Sequence, residues 1–174
     1  MSETKFIPLH QGKNIYLTGF MASGKSTVGK LLASKLQRQF VDTDSFIERE
    51  QNVTVKEIFE QKGEAFFRSL ETQTLQKFAA DANLVVSLGG GTVLREENRV
   101  ILRSGLWVFI DTDYEVIKER LLRSKRRPLA QDIEKVKALY EERLPVYRQA
   151  QLVISGGGDS DQVCQFLLNR ILGL

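Results

Sequence analysis

The sequence has few of the residues that build disulfide frameworks and protein-only metal centres. Its 174 residues include one cysteine and one histidine, so no disulfide can form within the chain and no Cys/His metal cluster is available. Cys164 stands at helical spacing with Val163, Phe166 and Leu167, which predicts a small buried hydrophobe rather than a nucleophile. His10 has no second histidine or cysteine near it, so we expect no metal role for it.

Long apolar runs are also absent. No stretch approaches the roughly 18 to 20 apolar residues that span a bilayer, and the residues before Lys13 resemble neither a signal nor a transit segment. We therefore expect a cytoplasmic protein with no membrane partner. There are only three prolines, and repeats, low-complexity tracts and Pro/Gly-rich linkers are missing, which predicts one domain over residues 1–174.

A strong excess of charge of either sign is missing too. The formal net charge is +3, and the basic residues alternate with acidic ones through most of the chain. We therefore expect no nucleic-acid partner. The exception is a basic cluster from Lys118 to Arg127, which by charge alone is typical of a solvated helix end.

Short apolar runs alternate with longer amphipathic stretches along the chain. The predicted strands are Asn14–Phe20, Phe40–Asp42, Leu84–Leu88, Leu106–Asp111 and Leu152–Ser155. The predicted helices are Gly24–Gln37, Ser45–Gln51, Val55–Ala80 with a break at Gly63, Arg95–Arg103, Tyr114–Leu122, Ile133–Tyr147 and Ser160–Leu172. This alternation predicts an α/β protein, a three-layer αβα sandwich around a five-stranded parallel sheet. The extra helix at about 43–80 indicates an inserted substrate-binding element.

A phosphate-binding loop follows the first predicted strand. Residues 19–26 read Gly-Phe-Met-Ala-Ser-Gly-Lys-Ser, which matches G-x-x-x-x-G-K-[ST] between a strand and a helix. Backbone N–H groups and the helix dipole would hold phosphate, Lys25 would reach the β/γ phosphates, and Ser26 would offer its hydroxyl to Mg²⁺. The predicted nucleotide-binding residues are Gly19, Ala22, Ser23, Gly24, Lys25, Ser26 and Thr27.

Two acidic motifs could complete this site. Leu106–Asp111 imitates a Walker-B strand, although Asp111, Thr112 and Asp113 are as well explained as the N-cap region of the next helix. Asp42 and Asp44 lie two apart at a strand end and would project to one side, towards the γ-phosphate and Mg²⁺. The alternative is that both cap a helix beginning at Ser45.

Two further motifs are ambiguous when each is taken alone. Arg68 and Glu71 lie three apart on a helix face, where a surface ion pair is the simpler interpretation. Gly89–Gly91 would let a ligand approach the backbone closely, or it would form a plain flexible turn. Trp107 is expected in the core.

Taken in order, these motifs resemble bacterial-type shikimate kinases, which are P-loop folds of the nucleoside monophosphate kinase group. The matching segments are the P-loop, Asp42-Thr43-Asp44, Gly63 to Glu71, Ser87 to Gly91, Arg127-Pro128-Leu129 and Arg143 to Tyr147. The resemblance implies strand order 2-3-1-4-5, a lid at about 122–134 and a monomer. It implies ATP-dependent phosphorylation of the 3-hydroxyl of shikimate in aromatic amino acid biosynthesis.

The resemblance also implies roles on the acceptor side. Arg68 and Arg143 would bind the shikimate carboxylate, which suits the planar fork of arginine. Glu71 would orient Arg68, while Asp44 would be the general base or orienter of the attacking hydroxyl. The Gly89, Gly90 and Gly91 backbone would hold ring hydroxyls. Phe59 and Phe67 would line the pocket, with core packing as an almost equal alternative.

On the nucleotide side, the resemblance gives Ser26 and Asp42 to Mg²⁺, with Ser87 as a further candidate. Arg127 would be the lid arginine that stabilises the transferring phosphoryl group. Arg120 would border adenine, or would be an ordinary solvated helix arginine. The chain departs from the family pattern at Ala130, which follows Leu129 in the lid.

Two other functions remain open from the sequence. A related kinase could act on gluconate or another polyol acid, or the domain could sense nucleotide or shikimate without turnover. Five charged residues that a silent domain would not need argue against sensing: Lys25, Asp44, Arg68, Arg127 and Arg143.

Overall fold

The computed structural model describes residues 12–123 and 133–173. Within these ranges the strands are β1 (Ile15–Thr18), β2 (Gln39–Asp42), β3 (Leu84–Ser87), β4 (Leu106–Asp111) and β5 (Leu152–Ser155). The helices are α1 (Lys25–Leu36), α2 (Thr43–Gln51), α3 (Val55–Ala79), α4 (Glu96–Ser104), α5 (Tyr114–Arg123), α6 (Ile133–Tyr147) and α7 (Ser160–Leu172). A 3₁₀ turn, Thr92–Leu94, follows β3.

The five strands form one sheet in which every neighbouring pair is parallel. Their order is β2-β3-β1-β4-β5, so the predicted topology is confirmed. The register sets Asp42 at the end of β2 beside Ser87 at the end of β3. Because parallel strands end at the same edge, the P-loop after β1 lies at this edge as well.

The side chains of successive strand residues point to opposite faces of the sheet, and each face carries its own hydrophobic core. Tyr16 and Trp107 belong to the core under α3, α4, α5 and α6, whereas Ile15 and Leu17 belong to the core under α1 and α7. Cys164 is fully buried in the second core and Trp107 in the first, as predicted. The arrangement is the predicted three-layer sandwich.

Residues 43–80, the predicted insertion, form α2 and α3. Thr54 caps α3 in a reciprocal capping box, in which Glu57 Oε2 accepts from the Thr54 N–H at 2.7 Å. A third cluster around Ile47, Ile58 and Phe67 holds α2 against α3. Burial of a side chain of this size contributes about 1.5 to 3 kcal/mol. Gly63 interrupts α3 with φ 80° and ψ 170°, where a break was predicted.

Two element bounds were predicted wrongly. The first strand ends at Thr18 rather than Phe20, because the P-loop turn begins at Gly19. The second helix begins at Thr43 rather than Ser45, because Asp42 still has an extended backbone and caps the helix by accepting from the Ser45 N–H at 3.2 Å. The remaining predicted bounds differ from the observed ones by at most one residue.

Among the described residues, no helix combines the length and the apolar character that crossing a membrane requires.

Candidate active site

The P-loop joins the end of β1 to the start of α1. Gly24 is the N-cap residue of α1 and has φ 99°, a left-handed conformation that favours glycine. No side chain caps this helix, so the N–H groups of its first turn and the helix dipole are directed at an incoming anion. Lys25 Nζ donates to the Phe20 carbonyl oxygen at 2.9 Å, which keeps the ammonium group over the same loop. This is the geometry of a phosphate cradle.

The P-loop forms one wall of a cleft of about 1010 Å³. This volume suits small-molecule substrates. The cleft brings together many predicted residues: Ala22, Gly24, Lys25, Ser26, Thr27, Asp42, Asp44, Ser87, Gly89, Gly90 and Arg120. Two other P-loop residues, Gly19 and Ser23, are buried. The Ser23 carbonyl oxygen accepts from Thr112 Oγ1 at 3.1 Å.

Three oxygen-bearing side chains meet beside the P-loop. Ser26 Oγ donates to Asp42 Oδ2 at 3.0 Å and lies 3.3 Å from Ser87 Oγ. Asp42 also caps α2 through its other oxygen, so one of the two predicted caps is observed, and its place beside Mg²⁺ stays a prediction. No cluster of three or more His, Cys, Asp or Glu side chains able to hold a metal occurs in the described residues. A small set of hard oxygens fits Mg²⁺, which commonly takes its remaining ligands from phosphate and water.

Asp44 lies in the first turn of α2, and therefore the prediction that it projects from a strand end with Asp42 was wrong. The first turn of the helix nevertheless carries its side chain into the cleft. Burial raises the pKa of Asp44 to about 6; the negative charges of Asp42 and Glu71 act in the same direction, and Lys25 opposes them. Within the part of the chain that the structure describes, Asp44 Oδ1 is buried without a hydrogen-bond partner. A substrate hydroxyl would supply that partner.

Arg68 and Glu71 form a buried ion pair rather than the surface pair that their spacing alone favours. Glu71 is 1% exposed and accepts from Arg68 Nη1 at 2.6 Å. Its second oxygen accepts from Thr92 Oγ1, also at 2.6 Å. Arg68 further donates to Glu64 from Nε and Nη2, so the two carboxylates fix the guanidinium plane. Burial alone would lower the pKa of Arg68, but the hydrogen bonds to Glu71 and Glu64 outweigh it and raise that pKa.

The triple-glycine segment Gly89–Gly91 is a close-packed loop and not a plain flexible turn. The Gly89 N–H donates to Thr43 Oγ1 at 3.0 Å. A Cβ atom at Gly89 would lie 2.5 Å from Asp44 Oδ1, and one at Gly91 would overlap the Arg68 guanidinium. Only glycine allows the backbone to approach these charged groups so closely.

Arg143 reaches the same loop from α6. Its Nη1 lies 3.3 Å from the position that a Cβ atom at Gly90 would take. Its Nε is buried and has no hydrogen-bond partner among residues 12–123 and 133–173. Arg68 beside Gly91 and Arg143 beside Gly90 therefore flank one loop, as the prediction of a shared carboxylate requires.

Phe59 and Phe67 pack against each other near Arg68, with their ring planes tilted by 42°. Their ring centroids are 4.8 Å apart, and the Arg68 guanidinium carbon lies 6.0 Å and 5.7 Å from the two rings. Both rings also belong to the small core around Ile58. Core packing, the alternative, is thus observed, whereas neither ring is among the residues that line the cleft.

Arg120 is not a solvated helix arginine. Its Nη1 donates to the Ala22 carbonyl oxygen at 3.0 Å, and its Nη2 donates to that of Gly157 at 3.3 Å. It ties the P-loop to the loop after β5, which is compatible with a border to the nucleotide. The capping interpretation of Asp111 to Asp113 is confirmed, since Asp113 accepts from the Glu115 N–H at 2.8 Å.

Arg127, Leu129 and Ala130 lie outside the described residues, as does most of the predicted lid at 122–134. His10 lies outside them as well.

Comparison with known proteins identifies the family of this chain. A sequence model of the shikimate kinase family matches residues 21–172. A shikimate kinase from Persephonella marina is 46% identical over 162 residues, which cover 91% of this chain and 99% of that protein. The chain belongs to the shikimate kinase family. The predicted family is confirmed, and with it the predicted enzyme class, an ATP-dependent kinase acting on shikimate in aromatic biosynthesis.

Solved structures agree with the shikimate kinase assignment. A shikimate kinase from Acinetobacter baumannii in complex with shikimate has a TM-score of 0.86 at 38% identity, covering 92% of this chain and 93% of that one. A gluconokinase from Sinorhizobium meliloti has a TM-score of 0.60 at 17% identity, covering 94% of each chain, which shows a shared fold alone. The comparisons thus favour the shikimate kinases over the gluconate alternative.

Three residues that hold this shikimate kinase site were missed as functional positions. Thr43 accepts from the Gly89 N–H and Thr92 donates to Glu71; Thr43 stands inside the Asp42-Thr43-Asp44 motif, whereas nothing in the local sequence marks Thr92. Tyr147 donates to the Gly90 carbonyl oxygen at 2.5 Å. Its spacing of four residues from Arg143 on a helix is a signal that could have found it.

Proposed function

We propose that this chain transfers the γ-phosphoryl group of ATP to the 3-hydroxyl of shikimate, giving 3-phosphoshikimate and ADP. The observation that carries the proposal is the arrangement of the cleft. The phosphate cradle forms one wall, and Asp44, Gly89 and Gly90 form another. Arg68 and Arg143 do not line the cleft themselves but lie directly against this glycine loop. The first wall suits a nucleoside triphosphate, and the second suits a hydroxylated carboxylic acid.

On the nucleotide side, the P-loop backbone and Lys25 bind the phosphates. Ser26 and Asp42, with Ser87 beside them, would hold Mg²⁺, which when bound neutralises charge on the phosphate oxygens. Support comes from Asp42 and Ser87, two oxygen-bearing side chains that lie within hydrogen-bonding reach of Ser26. Arg120 braces the loop from outside and stands where it could border the nucleotide.

On the acceptor side, Arg68 and Arg143 bind the carboxylate in the forked geometry that arginine provides. Glu71 holds Arg68 in place from a buried position. The Phe59 and Phe67 rings pack beside that arginine. Placement matters most here, because phosphoryl transfer is accelerated chiefly by positioning and electrostatic stabilisation.

Asp44 orients the attacking hydroxyl and takes its proton. A pKa of about 6 suits this role, because the carboxylate is mostly ionised at neutral pH yet still basic enough to accept a proton. From the sequence resemblance, Arg127 would stabilise the charge on the transferring phosphoryl group, and the segment at 122–134 would exclude water as a lid.

The test is shikimate-dependent ADP formation by the purified protein with Mg²⁺ and ATP. We expect turnover well above the background ATPase rate with shikimate, and little with gluconate at equal concentration. A product phosphorylated at the 3-position, identified by NMR, completes the expected result. Shikimate binding without turnover would support the sensing alternative, and a preference for gluconate would support the related-kinase alternative.

The proposal also includes a cytoplasmic monomer with one domain, as predicted from the sequence. Light scattering coupled to size-exclusion chromatography tests the monomer, with a mass near 19.8 kDa expected.

A further inference from the structure

Tyr147 is a fully buried residue at the end of α6 that none of the roles above uses. We propose that Tyr147 is a positioning residue of the acceptor site, whose hydroxyl fixes the peptide between Gly90 and Gly91 and so sets the affinity for shikimate. The inference rests on the proposed function, because it concerns how the same site binds its acceptor.

The tyrosine is itself held tightly. Its ring stacks on Phe109 of β4, with centroids 5.1 Å apart and ring planes 17° apart. Its hydroxyl donates to the Gly90 carbonyl oxygen at 2.5 Å. Burial raises the pKa of Tyr147 to about 12, although the charge of Arg143 and a hydrogen bond with Arg143 act in the opposite direction, so the hydroxyl keeps its proton and can donate at working pH. The stack on β4 and the attachment to α6 thus fix the position of the hydroxyl that bonds to Gly90.

That bond holds the middle of the triple-glycine loop. Gly89 is held from α2 through Thr43, and the Thr92 N–H donates to the Gly89 carbonyl oxygen at 3.1 Å. The Tyr147 bond acts between these contacts, on the peptide that links Gly90 to Gly91. Glycine backbones have wide conformational freedom, so this peptide depends on an external contact for its orientation.

The orientation of the Gly90–Gly91 peptide determines where both the Gly90 C=O and the Gly91 N–H point. In a trans peptide the C=O and the next N–H point in opposite directions. With the Gly90 carbonyl oxygen bound to Tyr147, the Gly91 N–H is directed away from α6. Arg68 lies against Gly91, and Arg143 Nη1 and Tyr147 Oη each lie 3.3 Å from the Cβ position of Gly90. Rotation of this peptide would therefore disturb the contacts between the loop and both arginines.

The test is steady-state kinetics of Tyr147→Phe, which keeps the ring and its stack on Phe109 and removes the hydroxyl. We expect the KM for shikimate to rise about tenfold, since the buried hydrogen bond to Gly90 is lost, the loop is released and Arg143 loses its contact with the hydroxyl. The KM for ATP should change less than twofold, because the P-loop contacts are untouched. Calorimetric titration of shikimate should show the same loss of affinity.

The matched control is Tyr140→Phe. Tyr140 lies on the same helix and donates to a backbone carbonyl oxygen, that of Thr112, at 3.2 Å, so the substitution makes the same chemical change away from the glycine loop. Its shikimate KM should stay within twofold of the wild type. A similar rise in both variants, or an equal rise for ATP and shikimate in Tyr147→Phe, would indicate general loosening and overturn the inference.

Failure of this inference and failure of the proposed function give different results. An active wild type with an unchanged shikimate KM in Tyr147→Phe overturns this inference alone. A wild type without shikimate-dependent turnover overturns the proposed function, and the inference with it.

Discussion

Replacing Asp44 by asparagine should make the protein more stable and less active. Burial and the neighbouring charges of Asp42 and Glu71 disfavour the ionised carboxylate, which is why its pKa is raised from 3.8 to about 6. In the folded protein the ionised form therefore costs about 3 kcal/mol relative to the unfolded chain. The proposed role of Asp44 as the base accounts for a fold that carries this cost.

The sign of the effect follows from the two pKa values. Above pH 6, Asp44 is ionised in both states and the full cost applies. Below pH 3.8 it is neutral in both states and the cost disappears. An asparagine side chain has no charge to bury, although its amide needs partners of its own. We expect Asp44→Asn to raise the free energy of unfolding by about 1 to 3 kcal/mol at pH 8, and by about half as much at pH 5.

Urea unfolding at both pH values, without nucleotide or metal, measures this difference directly. Asp42→Asn is the matched control. Asparagine also caps helices well, and the substitution removes only one of the charges near Asp44, so its gain should stay below about 1 kcal/mol. In activity assays the kcat of Asp44→Asn should fall by about 10²-fold. A variant that is no more stable than the wild type at pH 8, or equally stabilised at both pH values, would refute the reasoning.

Three further substitutions or conditions test the site. Arg68→Lys keeps the charge but loses the fork, so steady-state kinetics should show a shikimate KM raised about tenfold with the ATP KM unchanged; an equal KM would remove Arg68 from the acceptor site. Gly89→Ala would place a Cβ atom 2.5 Å from Asp44 Oδ1 and 2.9 Å from Glu71 Oε1, so kcat should fall at least tenfold while circular dichroism shows a folded protein; wild-type turnover would contradict the packing described for the loop. The wild-type kcat/KM for shikimate should fall about tenfold per pH unit below about pH 6, because protonated Asp44 cannot accept the proton; a flat profile there would exclude it as the base.

The sequence predicts the sheet and its surrounding helices because their patterns are local. Alternation of apolar runs with amphipathic stretches marks each element, and the P-loop motif marks the edge at which ligands bind. The order of the strands is not a local property, and it was predicted only through the family resemblance. The position of Asp44 was predicted wrongly because Asp42, the last residue of β2, is also the N-cap of α2, so the helix begins before Asp44.

The parts that local patterns could not give depend on distant contacts. Arg68 and Glu71 have a spacing of three residues that is ordinary on a helix, and only the burial of Glu71 makes them a buried ion pair. Thr92, which donates to Glu71, lies on another element. Tyr147 similarly acts on Gly90, which is 57 residues away in the chain. Such pairs become visible only when the fold brings the two elements together.

The central claim is that one cleft binds both substrates, and a crystal structure with Mg²⁺, ADP and shikimate tests it most directly. We predict ADP phosphates on the P-loop, the shikimate carboxylate between Arg68 and Arg143, and a ring hydroxyl within hydrogen-bonding distance of Asp44. A second depression of about 990 Å³ lies along β2 and shares Ser26 and Asp42 with the cleft. Shikimate bound in that depression, or bound away from both arginines, would contradict the account.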